Sequence, residues 1–397
     1  MATMWWPEAA EYNEFLAPAM IVSGQGSSSR VPELLQSRLR ISGGTILVVV
    51  DDIVLDAGLA AGLLKGLEDS GFRVVISSGF GAEPADTVVD AAAERAREAN
   101  ADAVIGIGGG SVLDSSKLLA LLLRNEGRTA DWLGVVEPPQ GVAPLVLIPT
   151  TCGTGAEATR IAMVTVDGSK RAASCALFVP TAVVIDPEMV KTLPGGVIAS
   201  TAMDALAHAV ESLMSTARSP MSAHHALRAI DLLVGSIEAA VNGDSDALAR
   251  CHWASHLAGQ ALNAGVVLGH SLAYCIAHEH PMPHGTSCAL ALPYTIAYNR
   301  TIDPDLGALI AEGLTQGRST SLREAAQEVK DLAARIGLPT TLAETSIPAG
   351  AARELAERCM REYPRPTNPV AFDADRLTAL VESMRTGDLD ASFAVAG

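Results

Sequence analysis

Basic side chains are scarce in this chain: 28 Lys and Arg stand against 45 Asp and Glu in 397 residues, a formal net charge of −17. No run gathers the few cations together. That argues against nucleic acid as a partner, because its phosphates need clustered Lys and Arg. It argues equally against an anionic membrane surface. Also missing is any uninterrupted apolar stretch of the ~18–20 residues that a bilayer span needs. The opening residues, Met1 to Glu14, carry acids and aromatics but no basic residue, so they do not read as a secretory signal. Cysteines are few and scattered, at 152, 175, 251, 275, 288 and 359, with no CxxC. Such spacing indicates free thiols in a reducing compartment and predicts a cytoplasmic protein. What is present in quantity is apolar material, 49% of the chain, enough for sizeable cores. The length suits two domains.

The first half alternates between two periods. Thr45–Val50, Phe72–Ser77, Ala103–Ile107 and Leu145–Ile148 read as strands. Between them Ile53–Leu67, Ala85–Ala99 and Ser111–Leu123 read as helices. This alternation predicts βαβ units, hence an α/β domain built on a parallel sheet, over residues 1–186. After Asp186-Pro187 helical periodicity takes over, predicting an all-helical domain over 187–397 and a cleft between the two.

Strand Ala103–Ile107 runs into Gly108-Gly109-Gly110-Ser111, with Asp114 three residues after Ser111. Three glycines remove every Cβ where a ligand would approach the backbone. Ser111 with Asp114 has capping-box spacing, and the first-turn amides suit a pyrophosphate. The same residues would serve equally as a tight, well-capped strand–helix turn. Pro149-Thr150-Thr151-Cys152-Gly153-Thr154-Gly155 closes another strand with hydroxyls and glycines that can bond ribose and phosphate without positive charge. Asp51 ends the first clear strand, where a carboxylate can accept from an adenosine ribose and repel a 2′-phosphate. Lys170 is a candidate phosphate contact or an exposed turn lysine.

In Ala202–Val210 the only polar residues, Asp204 and His208, stand four apart on one face of a helix whose remaining surface is largely alanine. A buried Asp and His need partners. Downstream, His270 follows Gly269 and His284 precedes Gly285. One carboxylate and three imidazoles suit Fe²⁺ or Zn²⁺ better than Ca²⁺ or Mg²⁺. His224, His225, His252 and His256 have no comparable context. The competing cluster His278-Glu279-His280 would point its imidazoles ~200° apart in a helix.

Taken in order, these motifs resemble the iron-containing alcohol dehydrogenase family: Gly108 to Lys117, Pro149 to Gly155 with Glu157 and Thr159, Ile185-Asp186-Pro187, Met203 to Ala209, Gly269-His270 and Pro283-His284-Gly285. The resemblance covers about residues 15–390. It implies a dinucleotide-binding domain followed by a helical metal domain, with Asp204, His208, His270 and His284 as metal ligands. It further implies that Gly109, Gly110, Ser111, Asp114, Thr150, Thr151, Thr154 and Thr159 line a nicotinamide dinucleotide. An acid at the position of Asp51 is associated in this family with NAD over NADP. Members often carry a second histidine four residues after the first downstream ligand, where this chain has Tyr274. A tyrosine, whose unperturbed pKa is near 10, makes a poorer proton shuttle than a histidine.

The expectation is a metal-dependent, NAD(P)-linked alcohol dehydrogenase or aldehyde reductase of small alcohols or aldehydes, forming a homodimer or higher homo-oligomer. Alternatives are a reductase of an acid- or phosphonate-bearing aldehyde, with Arg160 and Arg171 loosely placed for the acid. A sugar-phosphate cyclase resembling dehydroquinate synthase is disfavoured by the few Lys and Arg near the metal residues. A catalytically silent metal- or nucleotide-binding protein is the third alternative.

Overall fold

Thr45–Val50 is buried at every position, as a central parallel strand covered on both faces must be. In the computed structural model, which describes residues 14–395, it belongs to a compact unit spanning Leu16–Thr192. The strands of this unit are β1 (Ile21–Ser23), β2 (Thr45–Val50), β3 (Arg73–Ser77), β4 (Ala101–Gly108), β5 (Gly134–Val135), β6 (Leu145–Pro149), β7 (Ile161–Val166), β8 (Ser169–Ser174) and β9 (Ala182–Ile185). Six form one parallel sheet in the order β1-β9-β6-β4-β2-β3. Its helices are α1 (Val31–Ser37), α2 (Asp52–Asp56), α3 (Ala61–Asp69), α4 (Asp86–Glu98) and α5 (Gly110–Leu122). Met1 to Asn13, most of the segment read for a leader, lie outside the described residues.

The period of two sorts the central strands into two cores. Leu47 and Val49 join Val104, Leu145 and Leu147 beneath α4 and α5. Ile46, Val48 and Val50 join Ile105, Ile107, Val146 and Ile148 on the opposite face, with α1 and α3. The chain therefore leaves β2 and β4 toward opposite faces. Between the carboxyl ends of two such strands an α/β sheet opens a crevice.

One expectation needs correction, and one feature was not foreseen. Ile53–Leu67 is not one helix: α2 stops at Asp56 and α3 starts at Ala61, with Gly58 between them in the left-handed region at φ +69°. The stretch after residue 160 holds a hairpin, β7 antiparallel to β8, closed by Asp167 at φ 50° and Gly168 at φ 71°. β5 lies parallel beside β8 to complete a three-stranded sheet.

A second unit runs from Leu193 onward. It comprises α6 (Gly195–Met214), α7 (Pro220–Val234), α8 (Ile237–Val241), α9 (Ser245–Leu262), α10 (Leu268–Glu279) and α11 (His284–Tyr298). They are followed by α12 (Pro304–Leu314), α13 (Leu322–Arg335), α14 (Ala352–Glu362), α15 (Ala374–Thr386) and α16 (Leu389–Val395). From Ala202 to Met214 α6 is buried without a break, because α7, α9 and α11 cover it on several sides. Alanine at positions 202, 205, 207 and 209 lets those neighbours approach closely. No helix among the described residues is long and apolar enough to cross a membrane.

The tightest approach is between α6 and α11. A Cβ on Gly285 would lie 1.9 Å from the backbone oxygen of Ser200, which cannot swing aside as a side chain would. Gly196, in the first turn of α6, faces open space. Gly285→Ala is expected to destabilise this unit by at least the ~1–3 kcal/mol typical of overpacking. Gly196→Ala should leave the thermal midpoint near that of the native chain. Comparing the two melting curves checks the close contact.

Candidate functional site

Three helices of the second unit each present two polar or sulfur side chains four residues apart, one turn above the other. On α6 these are Asp204 and His208, on α10 His270 and Tyr274, and on α11 His284 and Cys288. The six meet in one place. Asp204 Oδ1 stands 3.5 Å from His270 Nε2, 3.7 Å from His284 Nε2 and 3.8 Å from His208 Nε2. Cys288 Sγ stands 3.6 Å from His284 Nε2 and 3.8 Å from His270 Nε2. One donor atom each from Asp204, His270, His284 and Cys288 lie within 4.8 Å of one another. His208 stacks on His270 with ring centres 4.5 Å apart.

A buried glutamate orients the central imidazole. Glu211, one turn beyond His208, is fully buried and accepts from His270 Nδ1 at 2.7 Å, from the backbone N–H of His270 at 3.2 Å and from that of Val267 at 2.8 Å. A carboxylate only accepts, so Nδ1 carries the proton and Nε2 presents a lone pair toward Asp204. Asp204 Oδ1 is itself buried without a hydrogen-bond donor. When the ring is neutral two lone pairs face each other at 3.5 Å, an arrangement relieved either by a proton on Nε2 or by a metal cation between them.

The titration behaviour has the same cause. Burial pushes the Asp204 carboxyl upward, but the imidazoles of His208, His284 and His270 outweigh it and hold the group well below the usual carboxylate range. Burial opposes a charge on His270, yet Cys288, Glu211 and Asp204 together raise its affinity for a proton well above the ordinary value. Burial raises the Cys288 thiol to about 12, with His270 pulling the other way. These shifts reflect the mutual attraction of one buried carboxylate and the imidazoles around it, and a divalent cation that replaces the imidazole protons would meet the same carboxylate. The chemistry of the donors, one carboxylate, imidazole nitrogens and a thiol, fits a borderline transition metal.

Glycines beside two of the ligands make the approach possible. A Cβ on Gly269 would lie 2.5 Å from Glu211 Oε1, so this position must be bare for the carboxylate to reach α10. Tyr274 lies flat against His284, ring centres 5.0 Å apart and planes 11° apart, and is half-buried. His284 keeps 30% of its side chain exposed, whereas Asp204 and His270 are closed off, so solvent reaches the cluster along His284. His252 and His256 are buried on α9, His256 against Gln260, and His225 stacks on Phe15. The side chains of His278 and Glu279 lie outside the described residues.

In the first unit, three loops follow three adjacent strands. Asp51 ends β2 and its N–H donates to Ile107 O at 3.0 Å, placing it beside the glycine turn after β4. One Asp51 oxygen caps α2 through Ile53 N at 2.9 Å. The glycine turn abuts the threonine loop after β6. A Cβ on Gly109 would lie 3.3 Å from Thr151 Cγ2, and one on Gly110 would lie 2.8 Å from Thr154 Cγ2. Thr150 is buried and donates its N–H to Gly108 O at 3.0 Å.

The expected Ser111–Asp114 capping box is not made. Gly109 occupies the N-cap of α5 and no side chain bonds there. Ser111 is already inside the helix and its hydroxyl donates to Ala82 O. Asp114 turns inward to Lys117 Nζ at 3.1 Å and Met163 N at 3.0 Å. Lys117 is fully buried and also donates to Thr159 Oγ1 at 3.0 Å and Ile161 O at 2.5 Å. Burial lowers its pKa, with Asp114 opposing. Asp114 and Thr159 therefore fix the threonine loop and β7 to α5. Lys170 pairs with Glu83 at 3.4 Å. Asp186 of the Ile-Asp-Pro motif is buried and gathers Gly26 N, Ser28 N and Ser28 Oγ at 2.6–2.9 Å.

This pairing of a parallel-sheet unit with a helical cation-seeking cluster has counterparts among known proteins. The profile of the iron-containing alcohol dehydrogenase family matches residues 18–187, and that of the family's C-terminal domain matches residues 198–385. The chain belongs to the iron-containing alcohol dehydrogenase family. It is 34% identical to long-chain-alcohol dehydrogenase 1 of Geobacillus thermodenitrificans, over 83% of this chain and 86% of that protein. It is 30% identical to the NAD-dependent methanol dehydrogenase of Bacillus methanolicus, over 94% of this chain and 99% of that one. Among solved structures, the sulfoacetaldehyde reductase of Bifidobacterium kashiwanohense in complex with NAD⁺ superposes with a TM-score of 0.87 at 26% identity. That match covers 96% of this chain and 100% of the other.

Within this iron-containing dehydrogenase fold, sequence reasoning missed Glu211, Cys288 and Lys117. The signal for Glu211 was present: it follows His208 by three residues and so shares its face. Glu211→Gln keeps the shape but weakens the acceptor for His270 Nδ1. Loss of such an outer partner typically costs 10–100-fold in metal affinity. The expected result is a fall of about that size in Zn²⁺ affinity, measured by chelator competition, while the far-ultraviolet spectrum keeps its helical content.

Proposed function

We propose that this chain is a cytoplasmic NAD-linked, metal-dependent alcohol dehydrogenase or aldehyde reductase. The observation that carries the reading is the buried Asp204 oxygen, faced by the Nε2 lone pair of a His270 whose tautomer is fixed by Glu211. Asp204, His208, His270 and His284 would hold one divalent cation, Fe²⁺ or Zn²⁺. When bound, the cation supplies Lewis acidity to a substrate oxygen, and the nicotinamide exchanges the hydride.

The chain's own residues do the rest. Glu211 keeps His270 aimed, and Gly269 gives it room. Tyr274, flat against His284, closes one side of the substrate position and offers an O–H for orienting the oxygen. In the first unit, the uncapped start of α5 presents amides to a pyrophosphate, and Thr151 and Thr154 supply hydroxyls beside it. The second Asp51 oxygen makes no hydrogen bond among the described residues and would accept from the ribose of NAD. A 2′-phosphate there would meet a carboxylate, which disfavours NADP. The six cysteines are buried and none is joined in a disulfide, which supports a reducing compartment.

One observation favours an acid-bearing aldehyde as substrate. The Arg365 guanidinium sits 5.8 Å from the centre of the Tyr274 ring, and its Nε is buried without a hydrogen-bond partner. A cation beside the ring that flanks His284 could receive a sulfonate or carboxylate. Arg160, bonded to Ser174, and the exposed Arg171 sit on the three-stranded sheet of the other unit. A sulfoacetaldehyde reductase among the relatives, from Bilophila wadsworthia, lends support.

NADH oxidation by the metal-loaded enzyme with neutral and sulfonate- or carboxylate-bearing aldehydes separates the two substrate classes. In the same assay His270→Ala should lose bound metal and at least ~100-fold in turnover, more than loss of an outer-shell partner brings. Unchanged metal content and turnover would remove His270 from the ligand set. Asp51→Gly removes a cap at a cost of only a few tenths of a kcal/mol. It should cut the preference for NAD over NADP by about tenfold, the order of one charge-assisted hydrogen bond. An unaltered ratio of kcat/KM for the two cofactors would refute the ribose contact.

A further inference from the structure

The helical cluster offers one donor more than the four assigned above. Cys288 lies one turn after His284 on α11, and its Sγ points into the group rather than away from it, 3.6 Å from one ligand nitrogen and 3.8 Å from another. In a shell of Asp204, His270, His284 and Cys288, with His208 standing outside it, a tetrahedral ion with bonds of ~2.0–2.1 Å to nitrogen and ~2.3 Å to sulfur sets those donors ~3.6 Å apart. The sulfur is therefore spaced as a ligand of the same ion would be. With Asp204, His270 and His284 it forms a set whose members are all mutually close, and three of the four, all but His284, are buried.

We propose that Cys288 binds the active-site cation directly, as a thiolate, in the enzyme without substrate. On binding, the S–H bond breaks, the proton passes to solvent, and the sulfur electron pair enters the shell of the cation. No oxidant or reductant takes part. A thiolate ligand biases the centre toward Zn²⁺ or Co²⁺ over harder ions. Protein ligation by a carboxylate, imidazoles and a thiolate also predicts that metal uptake releases one more proton from the native chain than from a variant lacking the thiol.

The inference rests on the metal-dependent reading, and the experiment keeps the two apart. The full-length protein, stripped of metal, is titrated with Co²⁺ and followed by its visible ligand-field bands and by near-ultraviolet sulfur-to-cobalt charge transfer. Both features are expected in the native chain. Cys288→Ala should keep the ligand-field bands, lose the charge-transfer band and bind Co²⁺ at least about tenfold more weakly, with one proton fewer released. Cys288→Ser, closer in volume, should lose the same band if the alanine variant folds poorly. Ligand-field bands without charge transfer in the native chain would overturn the thiolate while leaving the metal site standing. Charge transfer that survives Cys288→Ala would overturn it as well. No cobalt uptake by the native chain would overturn both readings.

Discussion

A carboxylate oxygen buried without a hydrogen-bond donor, Asp204 Oδ1, is the constraint around which the helical unit is arranged. Taking an ionised carboxylate out of water is costly unless an opposite charge or donors compensate. Asp204 has three imidazole nitrogens as neighbours, and one of them, His270 Nε2, is a lone pair whenever that ring is neutral, because Glu211 holds the proton on the other side. The protein thus brings together groups that repel one another until a cation joins them. That explains why α6 is so thoroughly enclosed: a half-exposed Asp204 would be satisfied by water and would exert little pull on a metal. It also explains why alanine surrounds it. Bulkier side chains at 202, 205, 207 and 209 would hold α7, α9 and α11 away and let solvent in.

The same enclosure dictates the glycines. Gly269 and Gly285 each adjoin a ligand, and each is bare because something immovable or essential lies within van der Waals range, Glu211 in one case and the Ser200 backbone in the other. In the parallel-sheet unit glycine has a comparable packing duty. Gly109 and Gly110 admit Thr151 and Thr154, so two loops that arise from adjacent strands meet at the start of α5. Lys117, the cation nearest this turn in sequence, is fully buried among Asp114, Thr159 and a backbone carbonyl. An acidic chain can still receive a dinucleotide at such a turn, because backbone amides attract an anion locally whatever the net charge of −17.

Much of this was legible in the sequence, and the failures have physical reasons. Asp204 and His208 stood out because two polar residues interrupt a run of small apolar ones at helical spacing. Glu211 did not, since a glutamate near the end of an apolar helix reads as a solvated residue until something shows that the helix is enclosed. Cys288 was invisible for a related reason: a lone cysteine has no spacing partner, and only the convergence of three helices gives it neighbours. Ser111 was misread because the cap rule assumes that the helix starts after the serine, whereas the glycine before it is already helical. The β7–β8 hairpin carried a strong local signal, Asp167-Gly168, whose positive φ angles suit a two-residue turn. Half-buried Lys170 and exposed Arg171, two consecutive cations on β8, break the alternation that would have marked the strand.

The donor count bears on how strongly the centre can polarise a substrate. With Asp204 as its only anion, a divalent cation keeps one net positive charge, and a second anionic ligand would cancel it. A neutral centre is easier to bury but a weaker Lewis acid. The two demands separate in time if the sulfur is held when no substrate is present and gives way to an arriving oxygen. His284 and Tyr274 lie on the solvent-reaching side, and Cys288 shares the α11 face with His284. Cys288 is as closed off as Asp204 and His270, one turn deeper on α11 than the part-exposed His284, so an oxygen arriving along His284 would approach the cluster from its α11 side. A thiolate on that helix would be the anionic ligand whose release restores positive charge to the centre, while Asp204 keeps its place.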